Sequence, residues 1–154
     1  MNRRTYCLDT SVLVKALVPE EGSIEALNLL REAVSSGSRL IAPAFAWAEV
    51  GTVLLKKMKA GLITETEAST AWDRFTSLSI DYLQDTTILQ VAWDVSLRYQ
   101  LPTMYDAAFL AVCDRVVEES RGSVEFWTAD RQLVQVLGSS PPPYLKLLEL
   151  RHSP

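Results

Sequence analysis

The chain has 154 residues, 48% of them hydrophobic, and a formal net charge of −4. That length suits one domain whose core needs no covalent staples, and two cysteines in separate apolar runs exclude a disulfide framework. With no run of about 18 apolar residues and no apolar leader after MNRRTYCLD, no membrane-spanning helix or signal peptide is expected. Buried free thiols at Cys7 and Cys113 and a cytoplasmic location follow as expectations.

Strand and helix signals alternate along the chain. Residues 4–9 (RTYCLD) read as a first strand, and a helix from Thr10 stops near Pro19. Gly22 to Ser36 reads as a helix with Ile24, Leu27, Leu30 and Val34 on its apolar face, ended by Ser35, Ser36 and Gly37. Residues 39–42 (RLIA) form a second strand. Pro43 then opens a long helix as a first-turn residue, and Gly61 closes it. Inside that helix, Gly51 is expected to admit a neighbouring helix. Thr64 and Glu67 make a capping-box pattern for a helix through about Ser77. A third strand lies at 79–83 (SIDYL), with helices at 87–100 and 104–120. VEFWT at 124–128 is the fourth strand, and a short helix runs from about Asp130 to Leu137. After the rigid SSPPP turn, YLKLLEL supplies a fifth strand. The alternation implies an α/β fold in which helices cover a parallel sheet. No repeat or linker divides the chain, so residues 1–154 read as a single domain. The apolar helix faces around 24–34 and 64–78 serve either the core or a partner.

Four carboxylates border or interrupt apolar segments: Asp9 in YCLDTSVLV, Glu49 in FAWAEVGTVL, Asp106 in TMYDAAFLAV and Asp130 in EFWTADRQL. Isolated carboxylates are costly to bury, and converging ones repel and raise each other's pKa. A divalent cation relieves both costs, so the set reads as an all-oxygen site for Mg²⁺ or Mn²⁺. Asp9 and Asp130 follow predicted strands, where ligand sites of parallel sheets form. Each has an alternative role as a helix N-cap, and Asp106 as the acid of a capping box opened by Thr103. Glu49 reads as mid-helix, where it has no capping role; its alternative is a solvent-facing position. Thr10, Ser11 and Thr128 flank the aspartates, either as hydrogen-bond donors to carboxylates or bound water, or as helix-start residues.

The acidic residues number 19 against 15 basic ones, so the four acids equal the whole acidic excess. Global charge therefore does not exclude a nucleic-acid partner, because a local basic rim attracts phosphate. Lys15, Arg98 and Arg131 are candidate contacts to RNA phosphates, or else solvated surface charges. The only histidine, His152, reads as a tail residue, which removes a Ser-His-Asp triad and histidine-rich zinc sites.

The ordered set LDTSVLV, AEV, YDAAFLAVC and WTADRQL resembles the PIN-domain family, and within it the VapC-type toxins of bacterial and archaeal toxin–antitoxin pairs. The resemblance covers nearly the whole chain. It implies a five-stranded parallel sheet in an α/β/α sandwich, with Asp9, Glu49, Asp106 and Asp130 as the catalytic, metal-ligating acids. It also matches Thr10 and Ser11 to the small polar residues after the first Asp, and Thr128 to the hydroxyl residue before the last. The function implied is endoribonuclease activity with one or two Mg²⁺ or Mn²⁺ ions, leaving 5′-phosphate and 3′-hydroxyl ends. A homodimer and an antitoxin that blocks the active groove are the partners implied. The alternatives are a PIN-like module that binds RNA or protein without cutting and, less favoured, a phosphatase or phosphotransfer domain. A haloacid-dehalogenase-type phosphatase would want a second Asp where Ser11 stands.

Overall fold

A computed structural model describes residues 3–120 and 122–150; His152 lies outside them. The chain runs β1 (Thr5–Leu8), α1 (Thr10–Leu17), α2 (Ser23–Ser35), β2 (Arg39–Pro43), α3 (Ala46–Lys59) and α4 (Glu65–Thr76). It continues through β3 (Ile80–Leu83), α5 (Thr86–Tyr99), α6 (Met104–Glu119), β4 (Val124–Thr128), α7 (Arg131–Leu137) and β5 (Leu145–Leu147). The five strands form one parallel sheet in the order β3-β2-β1-β4-β5. The chain therefore winds outward from β1 in one direction, then crosses to β4 and winds in the other. The change of direction falls between β1 and β4, the topological switch point where parallel sheets open a crevice at their carboxyl ends.

The period-2 alternation of β1 divides the core into two layers. Tyr6 and Leu8 face a cluster completed by α1, α2, α3 and α4. Cys7 faces the opposite cluster with α5, α6 and α7, where it meets the equally buried Cys113; both thiols are free. The strands at the centre are buried on both faces, as a helix-covered sheet requires.

The sequence signals explain most boundaries. At the end of α3, Gly61 takes a φ of 72°, with Gly61 N donating to Met58 O and Leu62 N to Lys57 O. These are the two hydrogen bonds of a Schellman stop. Thr64 and Glu67 form both bonds of the capping box at the start of α4. Gly51 does admit a neighbour: a Cβ there would lie 3.1 Å from the Trp72 ring of α4.

Two expectations are corrected. Pro43 does not open α3 but ends β2, and the helix starts at Ala46. Pro43 lies beyond the residues that pair with β1 and pairs only with Leu83 of β3, so its missing N–H disrupts little. The buried face of α2 is Ala26, Leu29, Leu30 and Ala33, whereas Ile24 is 73% exposed and Val34 53%. On α4, Ala68, Ala71 and Phe75 pack into the core.

Candidate active site

All four carboxylates sit where a helix begins. Asp9 is the residue before α1, and Asp130 the residue before α7. Asp106 lies in the first turn of α6. Because α3 starts late, Glu49 also falls in its helix's first turn rather than in mid-helix, a correction to the reading that gave it no helix-start role. Helix N-termini carry partial positive charge, so this placement stabilises anions, bound phosphate included. Asp9 and Asp130 follow β1 and β4, the two strands that flank the switch point.

Capping explains only part of the set. Asp130 does cap α7, since its Oδ1 accepts from Gln132 N at 2.9 Å and Leu133 N at 3.4 Å. Asp9 makes no side-chain capping bond, and neither does Thr103 ahead of Asp106. Asp9 is only 9% exposed, and its Oδ2 instead accepts from Thr128 Oγ1 at 2.8 Å. Thr128 is fully buried, and its Oγ1 also accepts from Asp130 N at 3.0 Å. That amide fills a lone pair of the hydroxyl and leaves its proton for Asp9. Ser11 repeats the arrangement, with Oγ accepting from Ala129 N at 3.1 Å, and its hydroxyl also favours the Asp9 carboxylate. The loop after β4 is thus laced to the start of α1 through two hydroxyls. Thr10 Oγ1 points to Glu49 Oε1 at 3.5 Å, the outer limit of such a bond.

The acids feel one another. Burial pushes Asp9 up from 3.8 to about 6, with the Thr128 hydroxyl opposing and the Asp106 charge adding to the rise. Burial also lifts Glu49 from 4.5 to about 7, helped by the charges of Asp9 and Asp106 and opposed by Thr10. Asp106 is raised by burial and then by Asp130, against the Thr103 hydroxyl. Among the described residues none of the four acids is in an ion pair. Nor do three acidic, thiol or imidazole side chains converge closely enough to hold an ion as they lie. In donor type and charge, however, the set fits a hard divalent cation: mutually repelling carboxylates flanked by hydroxyls, with no ion pair to the acids among the described residues.

The three candidate basic contacts separate. Lys15 Nζ donates to Glu21 O at 2.9 Å and pairs with Glu20 at 3.7 Å, which commits it to the α1–α2 loop. Arg98, at the end of α5, lies by Asp114, about 12 Å along α6 from Asp106. Only Arg131, exposed in the first turn of α7, adjoins one of the acids. The sequence reading passed over two aromatic rings at the site. Phe45, one turn before Glu49, meets Tyr105, the neighbour of Asp106, edge-to-face at 5.1 Å. Their positions one and four residues before acids already singled out were the available signal.

Fold and site together define a parallel α/β domain with an acidic centre at its topological switch point. The PIN domain family model matches residues 6–137, and the chain belongs to that family, whose fold generally serves nucleases and typically uses divalent metal ions. Among solved structures the chain is similar to the crystal structure of PAE2754 from Pyrobaculum aerophilum, with a TM-score of 0.63 and 19% identity. That match covers 96% of this chain and 91% of the other, and at this identity the likeness is one of fold. No curated protein matches the chain.

Proposed function

We propose that the chain is a metal-dependent endoribonuclease of VapC type, a cytoplasmic homodimeric toxin inhibited by a cognate antitoxin. The observation that supports it is the placement of Asp9, Glu49, Asp106 and Asp130 on four helix starts at the carboxyl edge of the sheet, with no ion-pair partner among the described residues. In this reading the four acids hold one or two Mg²⁺ or Mn²⁺ ions. Such an ion, when bound, supplies Lewis acidity toward the phosphate and lowers the pKa of water.

The chain's own groups supply the rest. Thr128 and Ser11 hold Asp9 in one orientation, so the carboxylate is set before substrate arrives. The carboxylates are metal ligands first, and one of them takes the proton of the attacking water. Hydrolysis then joins water oxygen to phosphorus and releases the 3′ oxygen as a hydroxyl, leaving a 5′-phosphate. Arg131 and the positive end of α1 attract the phosphate.

The test is cleavage of cellular RNA with Mg²⁺ or Mn²⁺, with and without EDTA, by the wild type and Asp9→Asn. Cleavage that needs the ion and disappears in the variant is expected; equal cleavage in every arm sinks the proposal. The toxin role has its own test in the adjoining reading frame, where a small protein with a DNA-binding N-terminus and a disordered tail is expected. A second reading, a PIN-like module that binds without cutting, draws on the fact that no three of the described acids converge. Metal and RNA binding without turnover would favour it.

A further inference from the structure

We propose that the outward face of α3 beyond Glu49, built from Thr52, Lys56 and Lys59, carries the RNA backbone away from the scissile phosphate. The proposal rests on the nuclease reading and adds the path of the substrate strand.

Lys56, Lys57 and Lys59 crowd the end of α3, and the helix's negative end favours all three. They do not share a face. Lys57 turns toward the α1–α2 loop, where its Nζ lies 2.5 Å from Glu20 Oε2. The same Glu20 pairs with Lys15, so two ammonium groups share one carboxylate. Lys56 stands seven residues after Glu49, which places it about 20° from that acid around the helix and about 10 Å along it. Thr52 and Lys59 border the same face, one turn to either side of Lys56, and all three are exposed. The other side of α3 is taken up by packing: Val50 and Leu54 lie in the core, and Gly51 meets the Trp72 ring. Among the described residues neither Lys56 nor Lys59 is in an ion pair.

The partner's chemistry follows from where this charge stands. A polyanion that reaches the acidic centre has to be held against the repulsion of four carboxylates. Arg131 supplies a cation on one side. It follows β4 while α3 follows β2, and those strands pair with opposite edges of β1. Lys56 and Lys59 thus place cations on the other side, in line with Glu49. A strand whose scissile phosphate sits at the acids and whose backbone runs along α3 is gripped on both flanks. At about 10 Å from Glu49, Lys56 meets a neighbouring phosphate rather than the reacting one. Lysine contacts phosphate as a point charge and reads no base, so this face adds affinity without sequence choice.

The experiment measures binding of an unstructured RNA oligomer to the full chain in the Asp9→Asn background, over a series of NaCl concentrations. Each phosphate neutralised on a single strand contributes about 0.7 to the slope of log affinity against log salt. Lys56→Gln is expected to lower that slope by about 0.7, so that a tenfold rise in salt costs about fivefold less affinity than in the parent. Gln suits an exposed helix position, so the fold is kept. Adding Lys59→Gln should lower the slope further, Lys56→Arg should hold it, and the loss should be alike on oligomers of different sequence. Lys146→Gln, on the edge strand β5, is the charge-matched control and should leave the slope as in the parent. Lys56→Gln with the parent's slope, or with a fall no larger than the control's, overturns the proposal. Lys56-dependent binding of polyglutamate with RNA binding unchanged assigns the face to an acidic protein and also overturns it. Lys56-dependent RNA binding by a wild type that cleaves no RNA in Mn²⁺ keeps the path and overturns the nuclease reading instead.

Discussion

At the scale of single residues the centre hangs on Thr128. Its hydroxyl donates to Asp9 and accepts from the Asp130 amide, so one buried atom ties together two acids that follow different strands. Thr128→Val keeps the shape and loses both bonds, leaving the Asp130 amide and the Asp9 carboxylate each short of a partner. Urea unfolding should show a loss of about 1–3 kcal/mol, the cost of a buried polar group without its bond. Mn²⁺ affinity and cleavage should each fall about 10- to 100-fold, as when groups supporting metal ligands are removed, with Thr128→Ser recovering both. A valine variant with wild-type metal affinity would separate Thr128 from the site. The acids themselves were legible because each interrupts an apolar run. Their geometry was less so: Glu49 read as mid-helix because Pro43 suits a helix start, and only the pairing of β2 with β3 shows that Pro43 belongs to the strand. Tyr105 was missed because exposure is set by tertiary packing, which no periodicity reports.

At the scale of elements the order of strands and helices was legible almost throughout, since Gly61 and the Thr64–Glu67 box are local signals and the structure uses them locally. The buried face of α2 was not. Periodicity weighted by side-chain size chose Ile24, Leu27, Leu30 and Val34, while the helix buries Ala26, Leu29, Leu30 and Ala33. Close packing against α1 favours small residues at the contact, and a size-weighted pattern cannot see that preference. The two readings make opposite predictions. Ala33 is fully buried, so Ala33→Leu should destabilise by about 1–3 kcal/mol through overpacking. Val34 is 53% exposed, so Val34→Ala should stay within about 0.5 kcal/mol of wild type. Chemical denaturation of the two variants decides between them, and the reverse ranking would mean that α2 is rotated about its axis.

At the scale of the whole molecule, the acidic centre sets how stability depends on pH. An unfolded Asp9 titrates near 3.8 and the folded one at about 6, so the native state binds this proton more tightly. Protonation then favours folding, and stability falls as pH climbs from about 4 through 6. For Asp9 alone the shift of about two units corresponds to roughly 3 kcal/mol lost above pH 7. Glu49 works in the same direction through about 7, but contributes less because solvent screens its half-exposed side chain. Half-buried Asp114, also raised, adds a background of the same sign. A difference measurement removes that background. In EDTA, the wild type should melt at a lower temperature at pH 8 than at pH 5.5, and Asp9→Asn should narrow the gap by raising the pH 8 value. Mn²⁺ should raise the melting temperature of the wild type more at pH 8, where the acids are ionised, than at pH 5.5, and should do little for the variant. Wild type and Asp9→Asn with parallel pH profiles, and no Mn²⁺ effect on either, would mean that the carboxylates are not a strained anionic centre awaiting a cation.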